Sequence, residues 1–319
     1  MLNDPKIVVV GGANIDIKGY SANTFQHGSS NSGIIKESSG GVGRNVAANL
    51  GNLGCQVTLL SAIGNDYRGE KLISDTGKCG VNLEYIRTME VYSTGTYLAV
   101  IDQKGELVGA VNSMEIINGI DRDYLKKNLK VLEQADWIFI DTNLNRDIIS
   151  WMLNRNFSGK IIIDPVSIEK SSKIKNRLDE IDIITPNLME FCYLYDIDSS
   201  ETELLISKNE NRELLDLIDN NRKRVSSKTE LIITLGAEGI IYSGPEQNFW
   251  ESAVDLSDKI IETTGAGDAL NAGIIYGLSR SKSIRESVRI GQEMASINII
   301  ADDTVRKDSL ERLKERGVL

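Results

Sequence analysis

The chain has 319 residues, 41% of them apolar and 26% charged, with a formal net charge of −10 at pH 7. That length is enough for one large or two modest domains with a sizeable core, and the composition excludes a disordered chain. The acidic balance removes any general attraction for a nucleic-acid polymer or an anionic membrane. Three cysteines (Cys55, Cys79 and Cys192) show no C-x-x-C spacing, and His27 is the single histidine. A disulfide framework, a zinc site and a His-based triad are therefore not expected. No apolar run approaches the roughly 18 residues of a spanning helix. The start of the chain has no basic, apolar and small-residue order of a secretory signal, so reducing cytoplasm is the expected compartment.

In chain order, a β-branched strand is predicted at Lys6–Val10, ending in Gly11-Gly12-Ala13-Asn14. Residues 17–39 are rich in Ser, Asn and Gly and show little helical period. A helix follows at 44–53, a strand at 56–62 and a helix at 67–79. Residues 94–102 and 106–112 read as a hairpin around Gln103-Lys104-Gly105. Next come a helix at 121–134, a strand at Trp137–Asp141, a helix at 146–155 and strands at Lys160–Asp164 and 182–185. A helix at 187–195 and a charged, solvated helix pair within 196–228 lead to a strand at 230–235. Last, a β-branched strand from Lys259 runs into Gly265-Ala266-Gly267-Asp268 and an amphipathic helix at 269–278.

Strands alternating with helices of this length predict an α/β fold, a doubly wound and mainly parallel sheet with helices on both faces. The polar and glycine clusters then fall at the carboxyl ends of strands, where open α/β sheets bind ligands. The segments at about 17–39 and 94–112 cannot join that sheet, so they are expected to form a small β lid on one domain spanning 1–319. An exposed lid sheet invites pairing with a second copy, giving a homodimer.

Four motifs carry chemistry. At Gly265, Ala266 and Gly267 the small residues let backbone amides at a helix start face an anion. Asp268 beside that anion suits a base that takes a proton from an attacking alcohol, although it also reads as a helix N-cap. In Gly40-Gly41-Val42-Gly43-Arg44-Asn45 there is neither a Walker lysine nor a G-x-G-x-x-G spacing. Its glycines and Asn45 suit packing against a polyol, or a glycine-rich N-cap. Asn14 and Asp16, two apart, face one side of an extended chain, and the carboxylate can accept from two sugar hydroxyls. Asn187 and Glu190, one helical turn apart after Thr185-Pro186, suit a water-clad Mg²⁺ held against phosphates, or a capped helix with an exposed Glu. Thr234-Leu235-Gly236-Ala237-Glu238-Gly239 is a strand end that could admit the phosphate chain of adenosine.

Together and in this order, the GGVGRN, TPNLMEF, TLGAEG and TTGAGDALNAG segments resemble the ribokinase-type (PfkB-like) carbohydrate kinase family over essentially the whole chain. The resemblance implies ATP- and Mg²⁺-dependent phosphorylation of a sugar hydroxyl. Asp268 becomes the base and Gly265–Gly267 the anion hole. Asn14, Asp16, Gly41 and Asn45 become sugar contacts. Asn187 and Glu190 serve the metal–phosphate side, while Thr234, Gly236 and Gly239 face the nucleotide, with Gln292 at adenine by register from Asp268. Asn14–Ser21, Ser30-Asn31, Gly40–Asn45 and 164–170 most resemble the branch that acts on pseudouridine. That implies the ribose 5′-hydroxyl as acceptor and a base under the lid near Ser30, Asn31, Thr96 and Asn112. Ribose, another nucleoside or a fructose-type sugar share the same motifs, and a non-catalytic nucleoside-binding protein is the reading from another class. Where many relatives carry Asp in a monovalent-cation site this chain has Glu262, which makes K⁺ activation doubtful.

Overall fold

Fourteen strands arise where β-branched runs meet turn residues, in a computed structural model that describes residues 4–208, 210–256, 263–300 and 304–319. In chain order they are β1 (Lys6–Val10), β2 (Asn14–Ser21), β3 (Gly33–Gly40), β4 (Gln56–Leu60), β5 (Ala62–Gly64), β6 (Arg87–Met89) and β7 (Gly95–Ile101). The rest are β8 (Leu107–Ser113), β9 (Trp137–Asp141), β10 (Lys160–Asp164), β11 (Ile183–Ile184), β12 (Glu230–Thr234), β13 (Ile240–Ser243) and β14 (Asn248–Glu251).

The main sheet has the order β14-β13-β12-β11-β10-β9-β1-β4. It is parallel from β12 to β4 and closes with two antiparallel strands, β13 and β14. Alternate residues of each strand enter opposite cores. Val8, Val10, Ile138 and Ile140 face one layer with Ile149 and Met152. Ile7, Val9 and Phe139 face the other, with Leu50 of the helix Val42–Asn52 and Ile274 of the helix Ala266–Ser279. A parallel sheet buried on both faces needs such continuous apolar runs. Among the described residues no helix is long and apolar enough to cross a membrane.

A separate four-stranded sheet has the order β3-β2-β7-β8. It holds both segments that break the sequence alternation. Its root packs on Ile63 and Leu72 through Ala13 and Ile15.

Several expectations need correction. The expected strand at 56–62 breaks after Leu60, and Ala62–Gly64 leaves the main sheet to pair with Arg87–Met89. The expected helix at 121–134 is two, Arg122–Lys127 and Leu129–Glu133, because Asn128 sits at φ −103° and donates its side-chain amide to the Tyr124 carbonyl at 3.1 Å. The helix pair Ser199–Ser207 and Asn211–Val225 is not simply solvated. Leu214, Ile218 and Arg222 are buried, and the Arg222 guanidinium donates to Asp219 at 2.8 Å and Ser243 at 3.0 Å. The strand expected from Lys259 falls largely outside the described residues.

Candidate active site

The site is built at the carboxyl ends of β1, β9 and β10. Asp141 ends β9 with its carboxylate fully buried, and it accepts from the backbone N–H groups of Gly12 and Gly43 at 2.9 Å and of Asn143 at 2.8 Å. Burial pushes its carboxyl up against these donors. A Cβ at Gly11 would sit 2.2 Å from the Asp141 carboxylate, and one at Gly43 would sit 2.7 Å from the Gly11 Cα. The glycines therefore let the start of the helix Val42–Asn52 close onto the end of β1. Gly41, expected at the sugar, is the half-buried N-cap of that helix.

This junction aims Asn45 at Asp268. The Asn45 Nδ2 donates to Asp268 Oδ2 at 2.9 Å, across two elements 223 residues apart. Its orientation is set by Arg44, buried beneath, which donates to Asn45 Oδ1 at 3.1 Å, the Ser39 carbonyl at 3.1 Å and Thr76 Oγ1 at 3.0 Å. Asp268 lies in the first turn of the helix Ala266–Ser279, whose N-cap Gly265 takes φ +83°. Its carboxyl is pushed up to about 7, chiefly by burial and further by the carboxylates of Asp141 and Asp16, against the Asn45 hydrogen bond and the Arg44 charge. Such a group can both lose and take up a proton near neutrality.

Asp164, at the end of β10, accepts from Asn271 Nδ2 at 2.7 Å and from the Val166 N–H at 2.7 Å. Val166 adopts φ +62°, an outlier for a β-branched residue. Burial, then the Asp268 carboxylate, raises the Asp164 carboxyl well above the usual range. The sequence reading gave no role to Asp141, Asp164, Asn271 or Arg44. The signal was there for the first two: each ends a buried apolar strand with a lone carboxylate.

A cavity of about 700 Å³ runs along the four-stranded sheet, lined by Asp16, Lys18, Tyr97 and Ala99 of the sheet and by Thr264. Asn14 and Asp16 stand together at its root, Asn14 Nδ2 donating to Asp16 Oδ1 at 2.6 Å. Tyr97 pairs with Asn112, which puts Asn112 on the cavity face. Thr96 is a correction. It is in register with the buried Ile15, so its side chain faces away from the cavity. Ser30 and Asn31 line neither this cavity nor the next. The Asn31 amide is taken up within its own loop by the Gln26 N–H at 2.8 Å and the Gln26 carbonyl at 3.0 Å.

A second cavity, of about 740 Å³, is lined by Thr234, Gly236, Gly239, Ala266, Gly267 and Gln292, bringing together five of the residues expected at the nucleotide together with Ala266. A Cβ at Gly267 would meet nothing within 4 Å, so that backbone borders open space. No side chain among the described residues caps this helix start. Gln292 already donates to the carbonyls of Glu251 and Ser252 at 3.2 and 3.0 Å. Asn187 bridges to Thr234 at the sheet edge. Asn187 and Glu190 form a capping box at 2.9 Å in both directions, and Glu190 is buried rather than exposed. Burial raises its carboxyl, and its charge raises that of Asp164. Among the described residues no group of three or more His, Cys, Asp or Glu side chains gathers as a metal cage. Mg²⁺ typically keeps waters and takes one or two carboxylates plus substrate phosphates, so the oxygen donors of Asp164 and Glu190 fit it. Glu262, on which the K⁺ expectation turns, lies outside the described residues.

The model of the pfkB family carbohydrate kinases matches residues 4–307. A pseudouridine kinase of Escherichia coli (strain K12) is 31% identical over 303 residues, covering 95% of this chain and 93% of that protein. The structure of a carbohydrate kinase from Agrobacterium tumefaciens superposes with a TM-score of 0.79 at 27% identity, covering 96% of each chain. A ribokinase from Arabidopsis thaliana, solved with ribose and ATP, shares the fold with a TM-score of 0.75 at 21% identity, over 98% of this chain and 99% of that one.

Proposed function

Because this chain belongs to the pfkB family of carbohydrate kinases, enzymes that transfer a phosphoryl group to a hydroxyl, we propose that it phosphorylates the ribose 5′-hydroxyl of pseudouridine with ATP. The observation that carries the reading is the buried Asp268, held by Asn45 at 2.9 Å and next in sequence to Gly267 on the wall of the second cavity, with its carboxyl raised to about 7. The choice of acceptor rests on the similarity to a pseudouridine kinase over nearly the full length of both chains.

Ribose sits at the root of the sheet cavity, where the Asp16 carboxylate accepts from its hydroxyls and Asn14 and Asn45 position them. ATP occupies the second cavity with its phosphates toward Gly267. The 5′-oxygen attacks the γ-phosphorus and its proton passes to Asp268. The new O–P bond forms as the bond to the β-phosphate bridging oxygen breaks, and ADP leaves. Backbone N–H groups at 265–267 face the charge that develops on the γ-phosphoryl oxygens. Asp164 and Glu190 would hold a Mg²⁺ ion, whose contribution would be to neutralise phosphate charge. The four-stranded sheet acts as a lid that keeps bulk water from ATP. Two copies associate through the outer face of that sheet.

Replacing Asp268 with Asn tests the reading. Turnover is expected to fall by about three or more orders of magnitude with ATP still bound. Near-normal turnover would remove the assignment.

A further inference from the structure

The helix Ala266–Ser279 carries a second polar side chain into the interior beside the proposed base. Asn271 stands three residues after Asp268, hence on the same helical face one turn further along. It is 2% exposed, and its Nδ2 donates to Asp164 Oδ2 at 2.7 Å. An ionised carboxylate only accepts, so the amide turns its nitrogen to Asp164 and its oxygen away. That oxygen, Asn271 Oδ1, is closed off from solvent and accepts from no group among the described residues. Buried polar atoms are nearly always paired, so this orphan marks a place where a donor comes from outside the chain.

The side chains around it are acceptors. Asp164 is clamped at both oxygens. The Val166 N–H donates to Oδ1 at 2.7 Å, from a turn in which this β-branched residue takes φ +62°, and Asn271 donates to Oδ2. The charges of Asp268, Glu190 and Asp141 all bear on Asp164. Glu190 is itself buried and accepts the Asn187 N–H on Oε2 at 2.9 Å. A donor with positive charge behind it suits such a set of oxygens. Water bound to a divalent cation is that kind of donor, because its lone pair goes to the ion and both hydrogens remain for acceptors.

We propose that Asn271 is a positioning residue for the divalent ion of the nucleotide: its Nδ2 holds the Asp164 carboxylate in place, and its Oδ1 accepts a hydrogen bond from a water in the ion's hydration shell. This rests on the kinase reading of the site. It gives one face of the helix two tasks, Asp268 serving the acceptor hydroxyl and Asn271 serving the metal.

The test uses Asn271→Leu, which keeps the bulk of the side chain, and Asn271→Ala, which favours the helix, so a change shared by both belongs to the lost amide. Mn²⁺ is titrated into each protein with an ATP analogue whose β- and γ-phosphates are bridged by an imido group, against the analogue alone. Electron paramagnetic resonance reads the free ion. Mn²⁺ affinity is expected to fall about tenfold in both variants, the size of losing a hydrogen bond behind a metal ligand. The Mg²⁺ concentration for half-maximal turnover should rise by a similar factor, while calorimetric titration of pseudouridine stays at the wild-type value. A purely structural loss would weaken Mn²⁺ and pseudouridine together, and that result overturns the proposal, as does Mn²⁺ affinity equal to wild type in either variant. Wild-type turnover of pseudouridine alongside unaltered Mn²⁺ affinity in the variants removes the role of Asn271 and leaves the kinase reading. Weakened Mn²⁺ binding in both variants, with no turnover of any acceptor by the wild type, removes the kinase reading and leaves the role of Asn271.

Discussion

At the scale of single residues, Asp268 holds its proton at pH values where an ordinary aspartate has lost it. As the base it must be ionised to act, so kcat/KM for the acceptor should rise about tenfold per pH unit below a bend near pH 7 and flatten above it. A pH–rate profile checks this, and a flat profile from pH 5 to 8 would contradict it. The same shift sets a stability dependence of opposite sign. Between the ordinary aspartate range and pH 7 the folded protein binds a proton at Asp268 that the unfolded chain does not. Stability from this group is therefore greatest at low pH and is lost as pH rises through about 7. Asp268→Asn removes that loss, so thermal unfolding of the variant should come a few degrees above wild type at pH 8, on the order of one or two kcal/mol, with the gain shrinking at pH 5. Besides positioning the sugar, Asn45 acts on Asp268. Because Arg44 fixes its Oδ1, only Nδ2 can point at the carboxylate. Asn45→Ala should move the bend of the pH profile upward, since a hydrogen bond that favours the ionised form is lost.

At the scale of elements, the helix Ala266–Ser279 presents its first turn to the nucleotide cavity, and Gly267 is where the backbone is barest. A Cβ there meets open space, so Gly267→Ala should leave unfolding nearly unchanged and raise KM for ATP about tenfold or more by intruding on the phosphates. Equal KM values would show that the phosphates lie elsewhere. The elements also show how far the sequence could be read. The six parallel strands of the main sheet, β1, β4, β9, β10, β11 and β12, and their alternation with helices were legible because strands buried on both faces write themselves as unbroken β-branched runs. Strands β13 and β14 were not, since each is only four residues long and the pair is set among glycine and polar turn residues. The glycine motifs and Asp268 were legible as types in a spacing. Thr96 was placed on the wrong face because a strand reverses its exposure at every residue, and only its pairing with Ile15 fixes the parity. Asn31 was read as a ligand contact because nothing local shows that its amide closes its own loop. The Glu190 side chain reads in the sequence either as reaching a water-clad Mg²⁺ or as exposed on a capped helix; the cap is present, and tertiary packing buries the side chain.

At the scale of the whole molecule, the eight-stranded sheet and the four-stranded sheet are separate, and the proposed function makes the smaller one the cover. The outer face of the four-stranded sheet packs on the base only near its root. Farther out, Ile35, Leu98 and Val111 are 77%, 43% and 69% exposed, and Leu98 and Val111 are directly paired. Apolar side chains clustered on an exposed sheet suit burial against a second copy. Sedimentation should find a dimer, and Ile35→Glu with Val111→Glu should shift it to monomer; an unshifted dimer would place the interface elsewhere. Under the proposed function, the γ-phosphoryl group of ATP passes to the 5′-oxygen of pseudouridine, whose proton goes to Asp268, and ADP leaves. Phosphorus NMR of a mixture of the protein, ATP, Mg²⁺ and pseudouridine tests it most directly. ADP is expected together with one new phosphomonoester coupled to the 5′-methylene protons, and neither from the Asp268→Asn protein. No phosphomonoester, or one on another hydroxyl, would contradict it.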